Sequence, residues 1–291
     1  MLLWGCSFIA IANLHGDVAP EMSVVYRNVM CAILIFAFAL WKKKSLGFSR
    51  RDHLFLACQG LFIYALNDVF IWNAVGYLTS GLVALIISLV MIMNVVFGAI
   101  FLGFPIRLRV VMAAFFGMAG IALVFWEDLI VFDLTSDVII GLGLALCSPA
   151  VFSLGQIIVA RNQKNELPLM RATGVAMAYG AVFALISAVV LDRPVTWSWS
   201  PAYLISLLYI SFVGTLTGFY MYFTLIGRIG PGRAAYVSVL TPVVALVVST
   251  IFEGFVWTHL ALAGAAVIVV GNVLVVVEGG GKSGVVRKTG A

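Results

Sequence analysis

Two ionisable side chains stand inside apolar runs of the sequence: Arg27 in VVYRNVMCAILI and Asp68 in LFIYALNDVFIWNAVGY. A charge within hydrocarbon is costly, so such residues pair, line a wet path or face a protein interior, and they mark function by default. Arg27 lies near the start of its run, where it can snorkel to the interface or pair with Asp17 or Glu21 in a structural role. Asp68 has polar company in Asn67, Trp72 and Asn73, too polar a set to face lipid. That leaves it a hydrogen-bonded packing or pore residue, or a proton-coupling one.

Uncharged polar and aromatic groups are more plentiful. Asn13 ends the first apolar run, Ser88 and Asn94 interrupt the fourth, and Ser148, Ser153 and Gln156 interrupt the sixth. Tyr209 and Tyr220, about three helical turns apart, share a face of the eighth. Gly214 and Gly218 in the same run have the GxxxG spacing that lets another backbone approach. Tyr236, Ser238 and Thr241 follow in the ninth. An apolar cavity with a few hydrogen-bonding groups and aromatic walls suits a zwitterion carrying a neutral or aromatic side chain. Sugar phosphates and nucleotide sugars call for several buried cations, and Arg27 stands alone. A cationic drug calls for a buried carboxylate among aromatic rings, an option that Asp68 keeps open. For any single aromatic, helix packing or an interfacial belt is at least as good an explanation.

Other chemistries fit poorly. His15, His53 and His259 lie far apart at run ends, and neither HExxH nor GxSxG occurs, so no enzyme is expected. Cys6, Cys31, Cys58 and Cys147 have no metal or disulfide spacing and read as small packing residues; no metal or cofactor is expected. No repeated ring of charged positions suggests a channel, although a channel-like facilitator stays as an alternative.

The elements that position these groups follow from composition. The chain is 63% hydrophobic and 10% charged over 291 residues, against about 25% charged in soluble domains. Apolar stretches long enough to cross a bilayer recur along its length, and the strict alternation of a membrane β-barrel is absent. The reading is an all-α polytopic membrane protein of ten segments, at roughly 1–14, 23–41, 53–75, 80–102, 108–126, 138–160, 169–191, 202–226, 233–252 and 259–278. The first is short; either the chain starts there or more residues precede Met1. Fifteen of the seventeen basic residues fall in the 2–3, 4–5, 6–7 and 8–9 connections and the tail. The opposite connections carry Asp17, Glu21, Glu127, Asp128, Asp133, Asp137 and Asp192. The positive-inside rule then makes both termini cytoplasmic. The basic balance orients the chain in a membrane and needs no nucleic-acid partner.

Shifted by 151 residues, the chain aligns with itself without a gap over positions 72–127, with fourteen identities, four of them glycines. A repeat of five crossings must insert its second copy upside down, the inverted-repeat plan of many secondary transporters, with a site near the midplane. The expected division is a first repeat at 1–126, an acidic linker at 127–137, a second repeat at 138–278 and a basic tail at 279–291.

Near the end stands TPVVALVVSTIFEGFVWTHLALAGAAVIVVGNVLVV, with a proline early in one segment, Glu-Gly at its close and a glycine-rich segment after it. With LLWGCSFIAI at 2–11 and the Arg27 stretch, this resembles the drug/metabolite transporter superfamily and its EamA-type members. Pro242, Glu253, Gly254, Gly264 and Gly271 occupy the places of that pattern. The first repeat departs from it, with Met91 opposite Pro242 and Leu102 opposite Glu253, so one half alone carries the proline and the acid. Pro242 unpairs a carbonyl, which lipid tolerates only beside protein or a cavity, so it reads as a hinge, a cavity border or a static kink. Glu253 reads as a structural residue pairing across the repeats, or as a coupling acid. The chain looks most like the YddG-type exporters of aromatic and other neutral amino acids. The resemblance implies a bacterial-type inner-membrane exporter working by alternating access, with a proton-coupled multidrug or metabolite exporter as the alternative. Oligomeric state stays open.

Overall fold

The computed structural model describes residues 18–78, 80–87, 89–102, 108–124, 137–229 and 257–279, with single positions before residue 18 and at 126, 247, 250 and 251. Ser88, Tyr236, Pro242 and Glu253 lie outside the described residues. All regular structure among the described residues is helical. Among the described residues, five helices of 22 to 28 residues are long and apolar enough to cross a membrane: Pro20–Trp41, Arg50–Tyr77, Asp137–Lys164, Leu169–Val190 and Pro201–Arg228. At 1.5 Å per residue, the shortest reaches about 33 Å, enough for a hydrocarbon core of about 30 Å. Leu108–Val124 and His259–Gly279 are further helices.

The fourth apolar segment, expected as one helix over 80–102, is two. Ser80–Ile87 and Val90–Leu102 meet at a turn through Leu89, whose N–H bonds back to the Ile86 carbonyl at 3.0 Å. The interruption arises without a proline, at the position two residues before Met91, which stands opposite Pro242.

Helix starts follow local chemistry. Ser49 caps Arg50–Gln59 by accepting from the Asp52 N–H at 3.1 Å, and Ser200 caps Pro201–Tyr209 by accepting from the Tyr203 N–H at 3.3 Å. Each cap satisfies a donor that the first turn leaves open and contributes about 1 kcal/mol. Both capped helices then widen into a π-helical stretch, Gly60–Leu66 and Ile210–Thr217, before resuming as Asn67–Tyr77 and Gly218–Ile229. The widened ladders accept bonds from neighbouring helices. Asn28 Nδ2 donates to the Tyr64 carbonyl at 2.6 Å, and Trp4 Nε1 to the Gly214 carbonyl at 2.8 Å. The two caps are 151 residues apart, and the two π-helical stretches follow them at matching places.

The most extensive seams join Leu108–Val124 to His259–Gly279, Leu169–Val190 to Pro20–Trp41, and Asn67–Tyr77 to Asp137–Lys164. Small residues make them close. A Cβ on Gly120 would lie 2.7 Å from the Gly264 carbonyl, and on a further seam, between Gly60–Leu66 and Leu169–Val190, one on Gly60 would lie 2.4 Å from the Ala176 carbonyl. The expected role of Gly214 and Gly218 as an approach surface is visible here: the first segment lies on it, with Ser7 Oγ 2.8 Å from the Cβ site of Gly214 and Trp4 Nε1 2.6 Å from that of Gly218.

Candidate functional site

The second and third segments bring the two intramembrane charges together. Arg27 is 3% exposed and Asp68 5%, and Arg27 Nη2 donates to Asp68 Oδ2. The expectation that Arg27 pairs with Glu21 is thus corrected, while Asp17, its other expected partner, lies outside the described residues. Glu21 turns instead to Asn73 Nδ2 at 3.0 Å and Arg193 Nε at 3.6 Å. Arg27 also donates to Asn28 Oδ1 at 2.9 Å, and its guanidinium carbon sits 5.4 Å from the centroid of the buried Trp72 ring. Asn67 Nδ2 donates to the other Asp68 oxygen at 3.2 Å, and Ser148 Oγ to Asn67 Oδ1 at 2.9 Å. The chain of bonds therefore crosses three helices. A buried ion pair offsets its desolvation only when its remaining lone pairs are held in this way.

About two turns further along Asp137–Lys164 a second, neutral cluster is buried. Gln156 Oε1 accepts from Asn94 Nδ2 at 3.1 Å and from the Tyr222 hydroxyl at 2.9 Å, while Ser153 Oγ donates to Asn94 Oδ1 at 2.6 Å. Ser153 and Gln156 are 0% exposed. Aromatic rings wall this cluster. Trp4 meets Tyr222 edge-on at 5.1 Å and Phe219 at 5.5 Å; Phe219 in turn meets Tyr64, Phe152 and Phe223. Among the described residues, six apolar segments, the first, second, third, fourth, sixth and eighth, contribute to the two clusters and their wall.

Of the residues singled out in the sequence, Asn67, Asp68, Trp72, Asn94, Ser148 and Gln156 join these clusters, and Arg27 joins as the partner of Asp68. Asn13 sits exposed in the turn that ends the first segment, away from the buried bonds. Tyr209 packs half-buried against the apolar core that holds Leu207, Ile210 and Trp72. Tyr220 is 51% exposed, while Tyr222, about 200° around the same helix, is buried. The shared face expected of Tyr209 and Tyr220 does not survive, because the π-helical stretch between them rotates the register away from three α-helical turns.

Trp4, Tyr64, Tyr222 and Pro149 were missed. Pro149 lies inside Asp137–Lys164 next to Ser148 and removes one ladder donor beside the cluster; the rule that singled out Pro242 applies equally to it. Tyr222→Phe removes one bond to Gln156 and is expected to weaken transport about 5- to 10-fold, in keeping with a buried bond worth about 1 kcal/mol. Tyr220→Phe is expected to leave it unchanged. Initial uptake rates of both variants in proteoliposomes check this.

The EamA-like transporter family matches residues 1–126 and 139–277. The chain is 24% identical over 282 residues to an uncharacterized transporter of Bacillus subtilis, YvbV, across 94% of this chain and 88% of that protein. It is 25% identical over 288 residues to a probable amino-acid metabolite efflux pump of Escherichia coli, across 93% of this chain and 90% of that protein. A solved crystal structure shares the fold with a TM-score of 0.69 at 18% identity, over 96% of this chain and 94% of its own.

Proposed function

The chain belongs to the EamA-like transporter family, a membrane transporter, and from that premise we propose that it exports neutral and aromatic amino acids. The observation that carries the substrate class is the buried neutral cluster of Asn94, Ser153, Gln156 and Tyr222 against the rings of Trp4 and Phe219. Amide and hydroxyl groups recognise a polar head, and the rings take an apolar or aromatic side chain. The description of the Escherichia coli relative as a probable amino-acid metabolite efflux pump supports the same class. A proton-coupled exporter of cationic drugs needs a carboxylate free to bind the cation, and Asp68 is held by Arg27 and Asn67.

Movement is by alternating access between two inverted repeats, 1–126 and 138–278, joined by the linker 127–137 and followed by the tail 279–291, with both termini cytoplasmic in an inner membrane. Support comes from the matched caps at Ser49 and Ser200 and the matched π-helical stretches. A π turn exchanges hydrogen-bond partners more readily than an α turn and often sits at a functional site, so each repeat holds one place where its third helix can bend.

The test is counterflow in liposomes loaded with unlabelled amino acid, using labelled phenylalanine, methionine and threonine, with and without a pH gradient, and a lipophilic cation in parallel. Exchange of the amino acids is expected. Cation flux that vanishes in Asp68→Asn, with no amino-acid exchange, would replace this reading by a drug antiporter.

A further inference from the structure

The neutral cluster holds more donors than it can use. Asn94, Gln156, Ser153 and Tyr222 carry six polar hydrogens. Their three mutual bonds use three of them, whichever way the amides are turned. Gln156 is 0% exposed, its Oε1 already accepts two bonds, and its Nε2 has no partner. A buried N–H without an acceptor is a standing cost that folded proteins rarely carry without a partner. Among the described residues no cation bonds to this cluster, and the buried guanidinium of Arg27 is engaged with Asp68.

We infer that this cluster is an acceptor-binding subsite: a carboxylate or carbonyl oxygen of the substrate docks on the Gln156 amide, with the substrate's side chain against the Trp4, Phe219 and Tyr222 rings. The inference rests on the amino-acid reading and narrows it. A substrate must present an acceptor oxygen next to an apolar group, while its ammonium is left to the aromatic faces, which attract cations without a countercharge. Amides and esters of aromatic amino acids satisfy the same demand as the free acid. An amine that lacks the oxygen does not, even though it carries the same ring and the same positive charge.

The test uses the unaltered protein in proteoliposomes. Counterflow of labelled phenylalanine is challenged with unlabelled phenylalanine, phenylalaninamide, phenylalanine methyl ester and phenethylamine. The first three are expected to compete within a few-fold of one another, and phenethylamine about 10- to 100-fold more weakly, because a buried donor left unpaired is penalised. In Gln156→Leu the half-saturation concentration for phenylalanine is expected to rise by a similar factor and the gap to phenethylamine to close. Equal competition by phenethylamine in the unaltered protein overturns the subsite and leaves amino-acid export standing; the spare donors then hold water only. Absence of any phenylalanine exchange overturns the amino-acid reading and the subsite with it.

Discussion

Arg27→Ala is expected to destabilise the folded protein by about 3–5 kcal/mol, because it leaves Asp68 buried without its countercharge. The loss extends beyond one pair. Among the described residues Asp68 then keeps Asn67 alone as a donor, and Asn67 in turn accepts the bond from Ser148 on a third helix. Replacing both members by apolar residues of similar volume, Arg27→Met with Asp68→Leu, removes the orphaned charge and is expected to recover most of that stability. Thermal unfolding in mild detergent, followed by tryptophan fluorescence, measures both. A double variant as unstable as Arg27→Ala would mean that lost packing on Trp72, 5.4 Å from the guanidinium, outweighs charge pairing.

Gly60→Val is expected to cost a comparable amount, about 3 kcal/mol or more, through forced separation of two helices. The added Cβ would lie 2.4 Å from the Ala176 carbonyl oxygen and 2.9 Å from the Gly180 nitrogen. Both are backbone atoms that cannot rotate out of the way. The strain falls at the first residue of the π-helical stretch, so transport should suffer together with stability. Gly143→Ala is the control. A Cβ there meets nothing within 4 Å, and relief of a mid-helix glycine should stabilise by about 0.5–1 kcal/mol. Unfolding temperatures of the two variants, measured side by side, separate crowding at Gly60 from any general cost of altering a helix glycine.

Much of the helical layout is legible in the sequence because an apolar run in a bilayer has few alternatives to a helix. The helices Leu169–Val190 and His259–Gly279 fall within a residue of the expected spans. The polar members of the two clusters are legible too: Asn67, Asp68, Asn94, Ser148 and Gln156 each interrupt an apolar run, and the membrane makes an isolated polar residue conspicuous. Their partners are not. Sequence proximity suggested Asp17 or Glu21 for Arg27, yet packing of the second segment against the third decides in favour of Asp68, 41 residues away. Helical periodicity also fails where the ladder itself changes. It placed Tyr209 with Tyr220 and overlooked Tyr222, because it takes 3.6 residues per turn through a stretch that is π-helical. Leu89 teaches the same lesson, since a turn divides the fourth segment with no proline to announce it.

The most direct measurement is the solvent accessibility of position 153, at the centre of the neutral cluster and 0% exposed. In a background with Cys6, Cys31, Cys58 and Cys147 replaced by alanine, Ser153→Cys is treated in proteoliposomes with a membrane-impermeant maleimide, added outside in one set and enclosed in the other. Alternating access requires labelling from both sides, and phenylalanine should slow it by occupying the same space. Labelling that phenylalanine leaves unaltered, or a thiol that reacts from neither side while the vesicles still exchange phenylalanine, would contradict a transport path through this cluster.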